Sequence, residues 1–107
     1  MSRQGSALIV FRGDVSIRVA EATRQQLREA LDANDSLEID FADVEDVDLT
    51  FLQLLLSARL SGQRDGKRVF LSRPAEGAVR AALLRAGFLG GQDRSSAVYR
   101  FWEAVRE

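Results

Sequence analysis

The chain has 107 residues, 46% hydrophobic and 29% charged, with 15 basic against 16 acidic side chains and a net charge of -1. That is the size and composition of one globular domain able to bury a core without staples, and the balanced charge gives no general pull toward nucleic acid or an anionic membrane. There is no histidine and no cysteine, which removes the commonest general base, disulfides, and both the Ser-His and Cys-His nucleophile pairs.

In chain order, the N-terminal Met1-Ser2-Arg3-Gln4-Gly5 is short and polar, without an apolar signal core. Residues 7–12 (ALIVFR) read as a strand ending at a Gly13-Asp14 turn. Val15-Ser16-Ile17 reads either as a second short strand or as the approach to a helix. Residues 19–33 place Ala20, Thr23, Leu27, Ala30 and Leu31 on one helical stripe. Asn34-Asp35 stops that helix, with Asn34 suited to a left-handed C-terminal position.

Residues 36–42 alternate Leu37, Ile39 and Phe41 with Glu38 and Asp40, the pattern of a strand with one buried face. Residues 43–49 then read as an acidic turn. A helix follows over 50–63, flanked at its end by Gly62 and Gly66, and its run Phe51-Leu52-Gln53-Leu54-Leu55-Leu56 is too apolar for a surface helix yet too short to span a bilayer. Residues 67–72 form the next strand around Val69-Phe70-Leu71. Pro74 opens a helix over 75–86 with the stripe Ala78, Val79, Ala82, Leu83 and Ala86, capped by Gly87 with Phe88-Leu89 behind it. Residues 90–95 are loop-like. A last amphipathic helix over 96–106, with Ser95 and Ser96 as N-caps, carries Val98, Phe101, Trp102 and Val105. Its stripe suits the domain's own core or, alternatively, a second copy, so a homodimer is a further expectation. Strands alternating with helices predict an α/β domain with parallel strand pairs.

The densest chemistry lies at Asp40, Asp43, Glu45, Asp46 and Asp48, with no basic residue from Leu37 to Phe51. The spacing is not that of a calcium loop, which needs a central glycine and a glutamate at its twelfth position, so no metal or other cofactor is expected. Acid-base catalysis by paired carboxylates is one reading. An acidic face for a partner's arginines is another, and solvated carboxylates that favour the next helix dipole are the plainest. Thr50 and Gln53 match a capping box, in which Thr50 would cap the helix. A phosphate on Thr50 is the competing role, because a helix N-terminus favours anions. Arg59, Arg64, Lys67, Arg68, Arg73, Arg80 and Arg85 are scattered without interleaved aromatics, and no nucleic-acid face is expected from them.

Three stretches carry a family resemblance: IVFRGDVSIRVAEATRQQL, LEIDFADVEDVDLTFLQLLLSA and GKRVFLSRPAEGAVRAALLRAGF. Over residues 7–89 the chain resembles the STAS domain of anti-sigma factor antagonists. The resemblance implies a mixed β-sheet flanked by helices, here with an extra C-terminal amphipathic helix, in a single domain over 1–107. It implies a non-enzymatic, cytoplasmic regulator that docks on a protein partner, a kinase-type anti-sigma factor or a related regulator, without nucleic acid or membrane insertion. The docking residues would be Asp43, Glu45, Asp46, Asp48, Leu49, Thr50 and Phe51. In that family a Ser or Thr directly follows the loop Asp and is phosphorylated by the partner kinase. Asp48 matches the Asp, but Leu49 stands at the acceptor position, Thr50 comes one place later, and Phe51 stands where many members have Gly. The chain is also similar to STAS proteins of chemotaxis clusters and to STAS subunits of lipid-transporting ABC complexes, neither of which needs a phosphoswitch.

Overall fold

The computed structural model describes residues 5–15, 17–87 and 97–104. Among these residues, three strands and four α-helices follow one another as β1 (Ser6–Val15), a 3₁₀ turn (Ile17–Val19), α1 (Ala20–Ala33), β2 (Ser36–Val47), α2 (Leu49–Arg64), β3 (Arg68–Leu71), α3 (Gly77–Arg85) and α4 (Ala97–Trp102). The sheet order is β1-β2-β3 and both pairs are parallel. Crossovers between parallel strands are as a rule right-handed, and two of them stepping in the same direction put α1 and α2 on the same face. That face carries Ile9, Phe11, Leu37, Ile39, Phe41, Val69 and Leu71, all buried in one cluster with the helices' Leu27, Leu31, Leu52, Leu55, Val79 and Leu83.

Several local expectations are corrected. Gly13-Asp14 does not end β1. Gly13 adopts φ 66°, a left-handed conformation glycine takes at little cost, and the strand continues through it to Val15. Val15 therefore belongs to β1, and the 3₁₀ turn leads into α1 in place of a further strand. Asn34 is extended (φ -139°, ψ 159°), and its side-chain amide closes α1 by donating to the Ala30 carbonyl at 2.9 Å. Lys67 Nζ adds a second donor there, to the Leu31 carbonyl. Pro74 does not open α3: the Ala75 N–H donates to the Trp102 carbonyl at 2.8 Å, holding the chain out of helix until Gly77.

Gly62 lies inside α2, not at its flank. A Cβ there would sit 2.9 Å from Val69 Cγ2 and 3.4 Å from the Lys67 carbonyl oxygen. Glycine thus lets α2 pack closely on β3, despite its cost to the helix. Gly87, with φ 81°, takes the left-handed position after α3, as expected. The C-terminal helix packs as its stripe predicted, with Phe101 and Trp102 fully covered. Arg80 ties it to α3 through Glu103 at 3.1 Å, and the Arg59 guanidinium lies 5.1 Å from the Phe101 ring centroid. Phe88-Leu89, the loop over 90–95, the serine caps at 95 and 96 and the stripe's Val98 and Val105 side chains lie outside the described features.

Candidate functional site

The acidic stretch read as a turn over 43–49 is mostly strand. β2 runs to Val47, and its burial pattern explains the misreading. Up to Phe41 buried residues alternate strictly, but the next buried residues are Val44 and Val47, three apart. The pairing shows why. Val10 aligns with Asp40, Arg12 with Asp43 and Asp14 with Asp46, so each two-residue step on β1 is met by three on β2. Each extra β2 residue is accommodated as a bulge, which re-aims the chain while keeping it paired. Asp40 supports the first: its Oδ1 accepts from the Ala42 N–H at 2.9 Å.

The residue pairs between Phe41 and Val44 and between Val44 and Val47 are thereby turned to solvent. Asp43, Glu45 and Asp46 are all exposed, and Asp14 adds a carboxylate where it aligns with Asp46. Among the described residues, no three acidic side chains gather closely enough to hold a metal ion.

At the end of β2, Asp48 is the N-cap of α2. Its backbone is extended (φ -121°, ψ 179°) and its Oδ1 accepts from the Phe51 N–H at 3.3 Å. This corrects the assignment of the cap to Thr50. Because α2 starts at Leu49, Thr50 already lies within the first turn, half-buried, and Gln53 is exposed instead of reaching back to it. An Asp at the cap also places its charge at the positive end of the helix dipole.

The seven residues expected at a docking surface therefore separate. Asp43, Glu45, Asp46 and Leu49 are exposed, and Leu49 keeps 46% of its surface in contact with solvent. Asp48 and Thr50 are half-buried. Phe51 is core, 2% exposed, with its ring edge-on to Phe11 at 5.1 Å between centroids; it supports the surface from beneath and does not form it.

One residue at this edge was missed. In a parallel pair the C-terminal ends lie together, and Val15 aligns with Val47. Val19, 38% exposed just before α1, therefore follows β1 at the same end of the sheet at which Leu49 follows β2. An apolar residue directly before a helix is a weak signal, and only the strand pairing gives it meaning.

Comparison with known proteins agrees with this architecture. A family model described as "Mlab, STAS domain" matches residues 2–91. A solved structure described as "Crystal Structure Analysis of Mglu" shares the fold, with a TM-score of 0.58 and 22% identity over 71% of this chain. The chain spans 19% of that protein's chain, so the likeness concerns the fold of one part of it. No curated protein matches. Among the described residues no helix is long and apolar enough to cross a membrane. The chain belongs to the STAS domain family, whose members are as a rule binding modules with regulatory or accessory roles.

Proposed function

We propose that the chain is a non-enzymatic, cytoplasmic STAS module that binds a protein regulator, of the kinase-type anti-sigma class or a relative of it, through the end of β2 and the first turn of α2. The observation that carries this reading is Leu49, an exposed leucine at the start of a helix, next in sequence to a strand end bearing the exposed carboxylates Asp43, Glu45 and Asp46. An apolar anchor with a charged rim is the usual anatomy of a binding hot spot. The matching partner surface is an apolar pocket bordered by arginine or lysine.

The test is titration of the purified candidate regulator against the wild type, Leu49→Arg and Glu45→Arg. Both positions are exposed, so the fold should survive, which circular dichroism checks. Leu49→Arg should weaken binding by about tenfold or more, as expected of a central anchor. Wild-type affinity in a folded Leu49→Arg protein would falsify the assignment.

A second reading is favoured by the same residue. Leucine at the acceptor position cannot take a phosphate, which suits a permanently held accessory subunit, such as that of a lipid-transport ABC complex or a chemotaxis-associated assembly, better than a switch. Thr50 is the nearest hydroxyl, and it is half-buried within the first turn of α2. Incubation with a cognate kinase and ATP, followed by mass mapping, separates the two: phosphate on Thr50 with loss of binding supports the switch, and an unmodified Thr50 with stable co-purification supports the accessory role.

A further inference from the structure

Among the described residues, β1 pairs with β2 on one side only, and its other side is an outer edge of the sheet that those residues form. The strand is ten residues long. Soluble proteins usually blunt such an edge with charge, proline or irregularity, because unpaired N–H and C=O groups template pairing with another chain. Here no charge or proline occurs from Ser6 to Phe11. On the sheet face away from the helices, Leu8 is 59% and Val10 39% exposed. On the helix side Ala7, Ile9 and Phe11 belong to the core cluster or pack against it. The charge and the irregularity come only afterwards, at Arg12, at left-handed Gly13 and at Asp14.

We propose that β1 pairs antiparallel with β1 of a second copy of this chain, about a twofold axis at Ile9, joining the two sheets into one. The occupant and the register follow from the strand's own complementarity. In an antiparallel pair, directly opposed residues share a face and their side chains touch. An axis at Ile9 sets Leu8 against the partner copy's Val10, Ala7 against its Phe11 and Ile9 against its Ile9. Every inner pair is then apolar, and the outermost pair is Ser6 with Arg12. Moving the axis to Val10 opposes Leu8 with Arg12 and brings Asp14 into the ladder, and an axis at Leu8 shortens the apolar overlap. The Ile9 register keeps the carboxylate out and ends where Gly13 re-aims the strand. The C2 symmetry that a single self-complementary strand generates is the commonest closed assembly. This surface is distinct from the β2–α2 rim and does not depend on what that rim binds.

Sedimentation equilibrium over a concentration series tests the assembly. The wild type should approach the mass of two 11.9 kDa chains, and Val10→Lys and Leu8→Lys should each raise the dimer dissociation constant by about tenfold or more with unchanged circular dichroism, since a charge set against an apolar cross-strand partner is desolvated. A wild type that stays monomeric to millimolar concentration overturns the proposal, leaving the edge to a foreign strand; so does a dimer indifferent to both substitutions. The register has its own readout, because the chain contains no cysteine. Leu8→Cys mixed with Val10→Cys and oxidised mildly should give the mixed disulfide in preference to either symmetric one. A preference for the symmetric disulfides overturns the Ile9 axis.

Discussion

The two halves of β2 obey different rules in one strand. From Ser36 to Phe41 every second residue is buried, with Leu37, Ile39 and Phe41 between 0% and 4% exposed. From Ala42 to Val47 only every third is, because β2 spends an extra residue twice against β1. The first half is flanked on both sides, by β1 and by β3, whose pairing with β2 ends at Ile39–Leu71. Among the described residues, the second half has β1 alone as a neighbouring strand. A strand held from both sides has no freedom to bulge without breaking two ladders, whereas one held from a single side can re-aim its residues. The first half builds the core, and the second displays carboxylates on a rigid backbone and delivers Asp48 to the start of α2.

Substitutions that strike the two halves separately should show this contrast in urea melts. The largest effect is expected in the first half, where Ile39→Ala opens a cavity at a site 1% exposed and should cost ~2–5 kcal/mol. Val44→Ala probes the second half. A valine in a solvated turn would be nearly silent, but as a buried anchor of a bulged strand it loses two carbon groups at ~0.8 kcal/mol each. A change below ~0.5 kcal/mol, the usual range for surface sites, would return residues 43–47 to the status of a turn.

At the strand's end, Asp48→Ala should cost ~1 kcal/mol through loss of the cap, and Thr50→Ala should stay well below that. The reverse order would restore the capping box to Thr50. Because Asp48 holds the helix, its substitution confounds any binding assay; Glu45 and Leu49 are the cleaner probes. Asp43→Asn and Asp46→Asn should leave stability within ~0.5 kcal/mol, yet weaken partner binding and flatten its salt dependence, since exposed charges are the ones screened by ions.

The smallest effect lies away from β2. The side-chain hydrogen bond from Arg24, at 2.6 Å, lowers the Glu21 pKa from its ordinary value. A carboxylate whose folded pKa is depressed stabilises the fold above its unfolded pKa, and that contribution is lost as the pH falls through the folded value. Glu21 is fully exposed, so Glu21→Gln should alter only the acid limb of a stability profile, slightly, and not at all in molar salt.

Much of this was legible in the residues. The alternation of Leu37, Ile39 and Phe41, the apolar density after Phe51, and Phe101-Trp102 at helical spacing each announce their partners. The three stretches, taken in their order, suffice for the STAS resemblance, which the family match bears out even though Leu49 and Phe51 depart from the family's pattern. The errors cluster where pairing overrides local preference. Gly13-Asp14 has turn chemistry yet lies within a strand, and the carboxylates of 43–47 have turn composition yet pair with β1. Thr50 and Gln53 fit a capping motif that Asp48 pre-empts, because the helix begins two residues earlier than the motif requires.

The sequence by itself determined the class of fold and the residues that must be inside, because hydrophobic periodicity is a local property that survives without a structure. It also settled that position 49 carries no hydroxyl. Only the tertiary structure decided which of the acidic stretch's residues are surface and which are support. That outcome depends on the register between β1 and β2, a relation between residues more than thirty positions apart, such as Arg12 with Asp43 and Asp14 with Asp46. A one-residue change in that register exchanges the buried and exposed sets, and no pattern within residues 43–51 alone could have shown that Leu49 faces solvent while Phe51, two places on, packs against Phe11.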